Sequence, residues 1–461
     1  MSTDVAPDTA VVKALRRMRL PQTQRNREFW LLLFACALSG AALTLVQLGA
    51  LGSIDPMVLA IGGGLAVLAF ALHIVLRIVA SDADPFVLPI ATMLSGLGIA
   101  MIYRIDIART RTGWEAYSTK QLAWTAVSLA GAIGIVILLR NYRVLFRYTY
   151  LFGLGGIVLL LLPFVPGLRV TGANADVWVS LGGFISFQPG ELAKIALAVF
   201  FAGYLVRTRE SLTSVGKRFL GMTWPRMREL GPVIVVWLIS LGIIVSQRDL
   251  GTGMLIFGMF IAMLYVATGK TSWVLIGLTL VAVGVFFATQ ILSYVRGRFT
   301  NWLYAFDPAI VDPNGPGYQL QQGIFGLAHG GLLGTGLGQG RPEITPLSHS
   351  DYIIPSLGEE LGLIGLFAIL CLYMVFVSRG IRIGMAGHDD FGKLLATGLS
   401  FTIALQVFIM VGGVTRVIPL TGLTTPFLAA GGSSLVANWL IVALLLRISD
   451  GVRRQPRVVI G

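Results

Sequence analysis

Apolar residues in this chain run in long unbroken blocks and do not alternate with polar ones. The blocks are 29–50, 57–80, 86–103, 117–139, 144–163, 187–206, 230–246, 250–268, 272–294, 357–378, 393–412 and 428–447. A helix needs about 20 apolar residues to cross the hydrocarbon core of a bilayer. Continuous blocks of that length predict helices, because barrel strands would show period-two alternation. The pattern predicts an all-α polytopic membrane protein of about 12 transmembrane helices. Three sizeable polar segments, 164–188, 295–356 and 413–427, fall on one side of the membrane, with a further turn at 246–252. Segment 295–356 is large enough for a lid or a substrate-binding loop, and its stretch near 317–330 is apolar enough for a short interfacial or re-entrant helix. The basic segment 207–229, with TWPRMREL at its end, predicts a membrane-surface stretch on the other side. No internal repeat points to an inverted-repeat transporter.

Composition agrees. Of 461 residues, 55% are hydrophobic and 12% charged, against about 25% charged in soluble domains; the mean hydropathy is +0.80. The net charge of +13 suggests nucleic acid until the basic residues are placed. With a cytoplasmic N-terminus, about 24 Lys/Arg fall inside and about 10 outside, as the positive-inside rule requires. The charge is thus topological, no nucleic-acid partner is implied, and both termini are expected in the cytoplasm. Residues 1–28 read as a cytoplasmic basic tail, disordered over 1–20, with no signal-peptide cleavage site. Cys36 and Cys371 sit in apolar blocks and read as ordinary buried thiols.

Chemistry concentrates between Gly323 and Glu360, which holds two of the four histidines and four acidic residues. Asp351 precedes an apolar helix expected from Leu357. Partial desolvation there would raise its pKa and make it a usable base; a solvated loop aspartate or a helix-start residue also fits the position. Glu343 is placed to orient a hydroxyl, pair with Arg341 or bind a cation. Glu359 and Glu360 open the helix, and at least one must face the bundle interior. A metal site built from His329 and His349 with the carboxylates matches no ligand spacing. The glycine run 323–340 lacks the Gly-Lys-Ser/Thr ending of a nucleotide loop, so no nucleotide cofactor is expected, while its amides suit a pyrophosphate. In FQPGELAK, Glu191 and Lys194 are spaced to pair on one helix face. Asp249 opens another helix, and Arg416 is placed to hold a phosphate. All these charges lie near one leaflet, which predicts one cavity open to the outside.

Taken together, the motifs resemble the SEDS family (shape, elongation, division, sporulation), its RodA-type members more than its FtsW-type. The resemblance spans about Phe86 to Asp450. It rests on Trp178 in a run like N-G-x-R-R-W-I, on FQPGELAK and QRDLGT, and on Tyr318-Gln319 before the glycine run. The most specific parts are RPEITPLSHSDYIIPSLGEELGLIG and TGLTTPFLAAGGSS. It implies a ten-helix core over 86–450, two additional N-terminal helices over 29–80 and a basic tail at 451–461. It also implies a glycosyltransferase of the bacterial cytoplasmic membrane that polymerises lipid II at the outer face.

Carried over by motif, Asp351 is the essential loop aspartate and Glu343 its acidic partner. Glu191, Lys194, Asp249, Arg248, Trp178, Glu360, Arg416 and His349 are expected to serve substrate binding. The implied reaction has Asp351 take the proton of the acceptor's 4-hydroxyl while undecaprenyl pyrophosphate leaves the anomeric carbon with inversion. The departing pyrophosphate needs positive charge from Arg416, Lys194, another outward Arg or a divalent cation such as Mg or Mn. Implied partners are a class B penicillin-binding protein and other elongasome or divisome membrane proteins, with segment 295–356 flexible until a partner orders it. The chain departs from the pattern at Asp176-Val177, where the family has an Arg pair, and at Gly190, Arg248 and Ala429-Ala430; Arg169 or Arg248 is placed to supply the missing charge. Thr421 stands where many division-type members carry Lys, which leans towards elongation. Rival readings are a lipid II transporter and a non-catalytic scaffold for a transpeptidase.

Overall fold

The computed structural model describes residues 9–168, 177–181, 185–213, 218–219, 222–223, 230–308, 315–387 and 389–454. Its helices, in order, are α1 (Thr9–Leu51), α2 (Met57–Val79), α3 (Val87–Ala108), α4 (Tyr117–Leu138), α5 (Val144–Arg147), α6 (Thr149–Leu161), α7 (Pro189–Thr213) and α8 (Gly231–Gln247). There follow α9 (Leu250–Thr268), α10 (Ser272–Ile291), α11 (Ser293–Leu303), α12 (Pro316–Gly330), α13 (Ile353–Ala386), α14 (Asp390–Val414) and α15 (Gly432–Arg454). Two small antiparallel hairpins, β1 (Val179–Leu181) with β2 (Ile185–Phe187) and β3 (Arg218–Phe219) with β4 (Met222–Thr223), and short 3-10 turns at Gly113–Glu115, Leu162–Phe164 and Pro342–Ile344 complete the described elements.

Among the described residues, ten helices are long and apolar enough to cross a membrane, which makes this an integral membrane protein. The other two expected spans are shorter apolar helices, α6 and α8. The block 144–163 is interrupted at Tyr148 and passes into a 3-10 turn at Leu162–Phe164, where Pro163 cannot donate a helical hydrogen bond. α8 matches the expected block 230–246 to within one residue at each end, with Pro232 in its first turn, and stops at Arg248, which has left-handed φ of 56°.

Several boundaries differ from the sequence reading. α1 begins at Thr9, so most of the expected tail is helical; VVKALRRMRL is rich in strong helix formers. α13 starts at Ile353, not Leu357, and runs to Ala386, eight residues past the end of the apolar block at 378. The surface stretch expected over 207–229 is the end of α7 and a hairpin; Trp224–Glu229, Arg169 and Asp176 lie outside the described residues. Segment 295–356 carries regular structure over its described part. It holds α11 and α12, the second matching the expected short helix, and then a stretch pinned to α13.

Most of the length of α3, α9, α14 and α15 is buried, while α10 shows most of its surface. In lipid, apolar burial gives little drive between helices, so close packing and interior polar bonds carry the assembly. At the end of the bundle away from the long loop, Asp84 accepts from Arg379 at 2.6 Å and from Arg453 at 2.7 Å, and Arg447 pairs with Asp450 at 3.3 Å. Near the same end, α1 and α2 are clipped by Glu28, which takes Arg25 at 2.6 Å and His73 at 2.7 Å.

Candidate active site

At the loop end of the bundle, a cavity of about 460 Å³ is lined by Trp178, Arg248, Asp249, Arg298, Gln319, Ser350, Asp351, Thr421 and Ser434, among others. Asp249 reaches it as the N-cap of α9. One carboxylate oxygen accepts from the Thr252 amide at 3.0 Å and the other from the Thr252 hydroxyl at 2.6 Å, satisfying an orphan donor of the helix start. Arg248 and Leu347, both on the wall, have left-handed φ; so do Arg416 and Phe427 in the 413–431 segment beside it. Non-glycine residues in that region are strained and gather at functional sites.

Asp351 is half-buried: protein encloses its carboxyl, which still borders the cavity. Burial pushes its pKa up to about 6, while the positive charge of Arg298 and a hydrogen bond from Ser350 pull the other way. Burial also raises Asp249, opposed by its Thr252 bonds and by Arg298. Arg298 is therefore the cation facing both carboxylates, and its guanidinium donates to the Leu420 carbonyl at 2.7 Å. Sequence reasoning did not name it. A signal was present: Arg298, Asn301 and Trp302 all line the cavity, and their i, i+3, i+4 spacing puts them on one face of α11.

Glu191 and Lys194 form the expected pair at 2.6 Å, buried in α7. Lys194 also donates to Gln406 at 2.9 Å, and Gln406 donates to the Thr424 carbonyl at 2.7 Å. Thr424 bonds the Ser434 hydroxyl at 2.8 Å. Because Thr424 and Ser434 line the cavity, the pair supports its wall from behind.

The remaining expected site residues lie elsewhere. Arg416 donates to the carbonyls of Trp302 and Leu303, both at 2.8 Å, and stands over Phe306. It ties down the end of α11 and does not line the cavity. His349 stacks on Tyr117 at 4.0 Å, with Arg111 also packed on that ring. Burial, then Arg109 and Arg111, lower its pKa to about 4, so it is neutral near pH 7. His329 bonds Glu359 at 3.1 Å, so the two histidines serve different partners. Among the described residues, no three His, Cys, Asp or Glu side chains gather to hold a metal ion.

Glu343 and Glu360 belong to a latch under the loop. At Gly362 (φ 70°) α13 breaks its helical course. The freed carbonyls of Glu359 and Glu360 accept from the amides of Thr335 and Gly336, both at 3.0 Å. The freed amides of Leu363 and Ile364 donate to the carbonyls of Gly331 and Leu332. Gly334 and Gly362 pass so closely that a Cβ on Gly362 would lie 2.3 Å from the Gly334 nitrogen. Side chains add to this. Glu360 accepts from Arg104 at 3.0 Å and from the Gly338 amide at 2.9 Å, and Glu359 accepts from the Arg341 amide at 2.9 Å. Glu343 offers its backbone carbonyl to Arg109, and its carboxylate stands 3.9 Å from Arg104. These charges thus fix the path of the loop that ends in Asp351.

A second, apolar cavity of about 160 Å³ lies between α8, α9, α10 and α11, lined by residues such as Trp237, Met254, Phe257 and Val281. Thr421 borders both cavities. A polar chamber with two arginines and two carboxylates therefore adjoins an apolar slot, an arrangement suited to a charged headgroup on a hydrocarbon chain.

Comparison with known proteins identifies the family of the chain. Residues 86–454 match the FtsW/RodA/SpoVE cell cycle protein family. The chain is 45% identical to the peptidoglycan glycosyltransferase RodA of Mycobacterium tuberculosis over 94% of its own length and 92% of the relative's. It is 41% identical to the protein of the same name from Mycobacterium leprae, over 99% and 96%. Among solved structures, it resembles a chain of a peptidoglycan synthase complex described as coordinating polymerization and crosslinking. That match has a TM-score of 0.62 at 25% identity and covers 81% of this chain and 99% of that one.

Proposed function

Because the chain belongs to the FtsW/RodA/SpoVE family, we propose that this peptidoglycan glycosyltransferase polymerises lipid II, with Asp351 as general base and Arg298 and Arg248 as the cations that receive the pyrophosphate. The observation that carries this is Asp351 on the wall of a chamber that also holds both arginines. The acceptor's 4-hydroxyl is a weak nucleophile, and Asp351 takes its proton as the oxygen attacks the donor's anomeric carbon. The bond from that carbon to the pyrophosphate oxygen breaks, and its electron pair leaves with undecaprenyl pyrophosphate. One displacement inverts the anomeric centre, and the proton passes from Asp351 to water. The guanidinium of Arg298, held on the Leu420 carbonyl, and that of Arg248 stabilise the charge that develops on the leaving group, and the apolar slot takes the adjoining isoprene units. A divalent cation, Mg or Mn, would be held largely by pyrophosphate oxygens, since among the described residues no three His, Cys, Asp or Glu side chains gather to hold one. In this reading the cavity faces outward, both termini are cytoplasmic, the partner is a class B penicillin-binding protein, and the process served is elongation.

The test is polymerisation of purified lipid II by the chain with its partner. Glycan chains support the reading; lipid II crossing a vesicle membrane without polymer favours the transporter. The pH profile adds a second check. A base must be ionised, so kcat/KM is expected to fall as pH drops through about 6, where Asp351 gains its proton. Arg298→Ala is expected to lower kcat by about 10–100-fold, in line with losing one preorganised charge contact. It should also move the acid limb to higher pH, because Arg298 holds the Asp351 pKa down.

A further inference from the structure

Helix α1 lies outside the family match, which starts at residue 86, yet its loop-side end touches the segment that leads to Asp351. A Cβ on Gly49 would sit 2.2 Å from the Leu337 carbonyl oxygen and 3.2 Å from the Gly338 Cα. In return, a Cβ on Gly338 would sit 2.5 Å from the Val46 carbonyl and 2.8 Å from the Ala50 nitrogen. The two backbones are in contact, and only glycine at both positions permits it; Gly338 also has φ of 84°.

Two further contacts join the same place. Leu337 packs against a small cluster made by Ala42 and Leu43 of α1, Ile61 and Leu65 of α2, and Ile99 and Ala100 of α3. Gln47 of α1 donates to the Tyr103 hydroxyl at 3.1 Å and accepts from the Asp55 amide at 2.9 Å. Tyr103 precedes Arg104, which holds both Glu360 and the Gly340 carbonyl. The amide of Gly338 itself donates to Glu360. Gly338 is therefore gripped from one side by the latch of α13 and from the other by α1.

We propose that α1 is a positioning element for the reaction: Gly49 seats the Leu337–Gly338 turn and so holds the loop that carries Asp351. This rests on the polymerase reading for its consequence, though not for the contact. Other glycines of the added helices do not share the role, since Cβ atoms on Gly40 and Gly63 would meet open space.

The test compares Gly49→Ala and Gly49→Leu with Gly40→Ala in the full chain with its partner. A Cβ at Gly49 must push the turn away, and a displacement of about 1 Å at a reacting group costs on the order of 100-fold in rate. Gly49→Ala is expected to lose about 10–100-fold in kcat, with KM for lipid II near wild type and an acid limb moved to lower pH as water reaches Asp351. Gly40→Ala should behave as wild type. Backbone amide exchange over 337–351 should quicken in Gly49→Ala, and this can be read without any turnover. Wild-type kcat, acid limb and exchange in Gly49→Ala overturn the proposal, as does a loss of rate that only follows the loss of folded protein. If the unmutated chain makes no glycan, the polymerase reading falls, and amide exchange alone decides the bracing.

Discussion

An Asp351→Asn chain, folded and bound to its partner, is expected to make no measurable glycan. The amide keeps the shape of the carboxyl and accepts hydrogen bonds, but it cannot take the acceptor's proton. General base catalysis contributes about 100- to 10,000-fold, enough to carry turnover below detection for a weak hydroxyl nucleophile. Folding should not suffer. Burial drives the Asp351 pKa up to about 6, so near pH 7 the site holds an ionised carboxylate that its surroundings disfavour. A neutral amide relieves that cost, and melting at pH 7 is expected at the wild-type temperature or above it. At pH 5 wild-type Asp351 is itself mostly protonated, so the difference in melting should shrink. Glycan from both chains would move the base to another group or to the partner. Glycan from neither would return weight to the transporter and scaffold readings.

The elements were largely legible in the sequence, because hydropathy reports immersion residue by residue. Blocks of about 20 apolar residues have few folded outcomes in a bilayer. The i, i+3 pair of Glu191 and Lys194 and the N-cap of Asp249 were legible for the same reason: both are local. What escaped was tertiary. Arg104 and Glu360 are 256 positions apart, and no local pattern joins them. Glu343 is close to Asp351 in sequence, but the latch turns it towards Arg104 and away from the cavity wall. Arg416 looked free to hold phosphate because its partners are backbone carbonyls, which every residue has and no motif reveals. Arg298 was hidden in a segment read as loop, so its face on α11 was never drawn. The break at Gly362 was invisible among the other glycines, since its cause is the close passage of Gly334.

Glu360 separates a latch from a catalytic group, and its substitutions should show which it is. The carboxylate is almost wholly buried and makes two bonds, to Arg104 and to the Gly338 amide. Glu360→Ala leaves the buried Arg104 guanidinium with only the Glu343 carboxylate, 3.9 Å away, as counter-charge, and breaking a buried pair costs at most about 3–5 kcal/mol. It also strips the Gly338 amide of its acceptor, a further cost of about 1–3 kcal/mol. The loop should detach from α13, with a large fall in melting temperature and loss of glycan synthesis together. Glu360→Gln keeps a carbonyl oxygen for one of the two donors. It is expected to fold, to melt at a lower temperature than wild type, and to retain a measurable fraction of turnover with the acid limb still near pH 6. A catalytic carboxylate predicts the opposite order, with Gln folded and inactive like Asp351→Asn. The coupling can be measured directly. If Arg104 and Glu360 act as one unit, Arg104→Gln combined with Glu360→Gln should cost less than the sum of the single changes, because neither side chain is then left charged and buried without the other. Additive losses would mean that the two side chains hold the loop independently, and the latch would then rest on the backbone bonds across the Gly362 break.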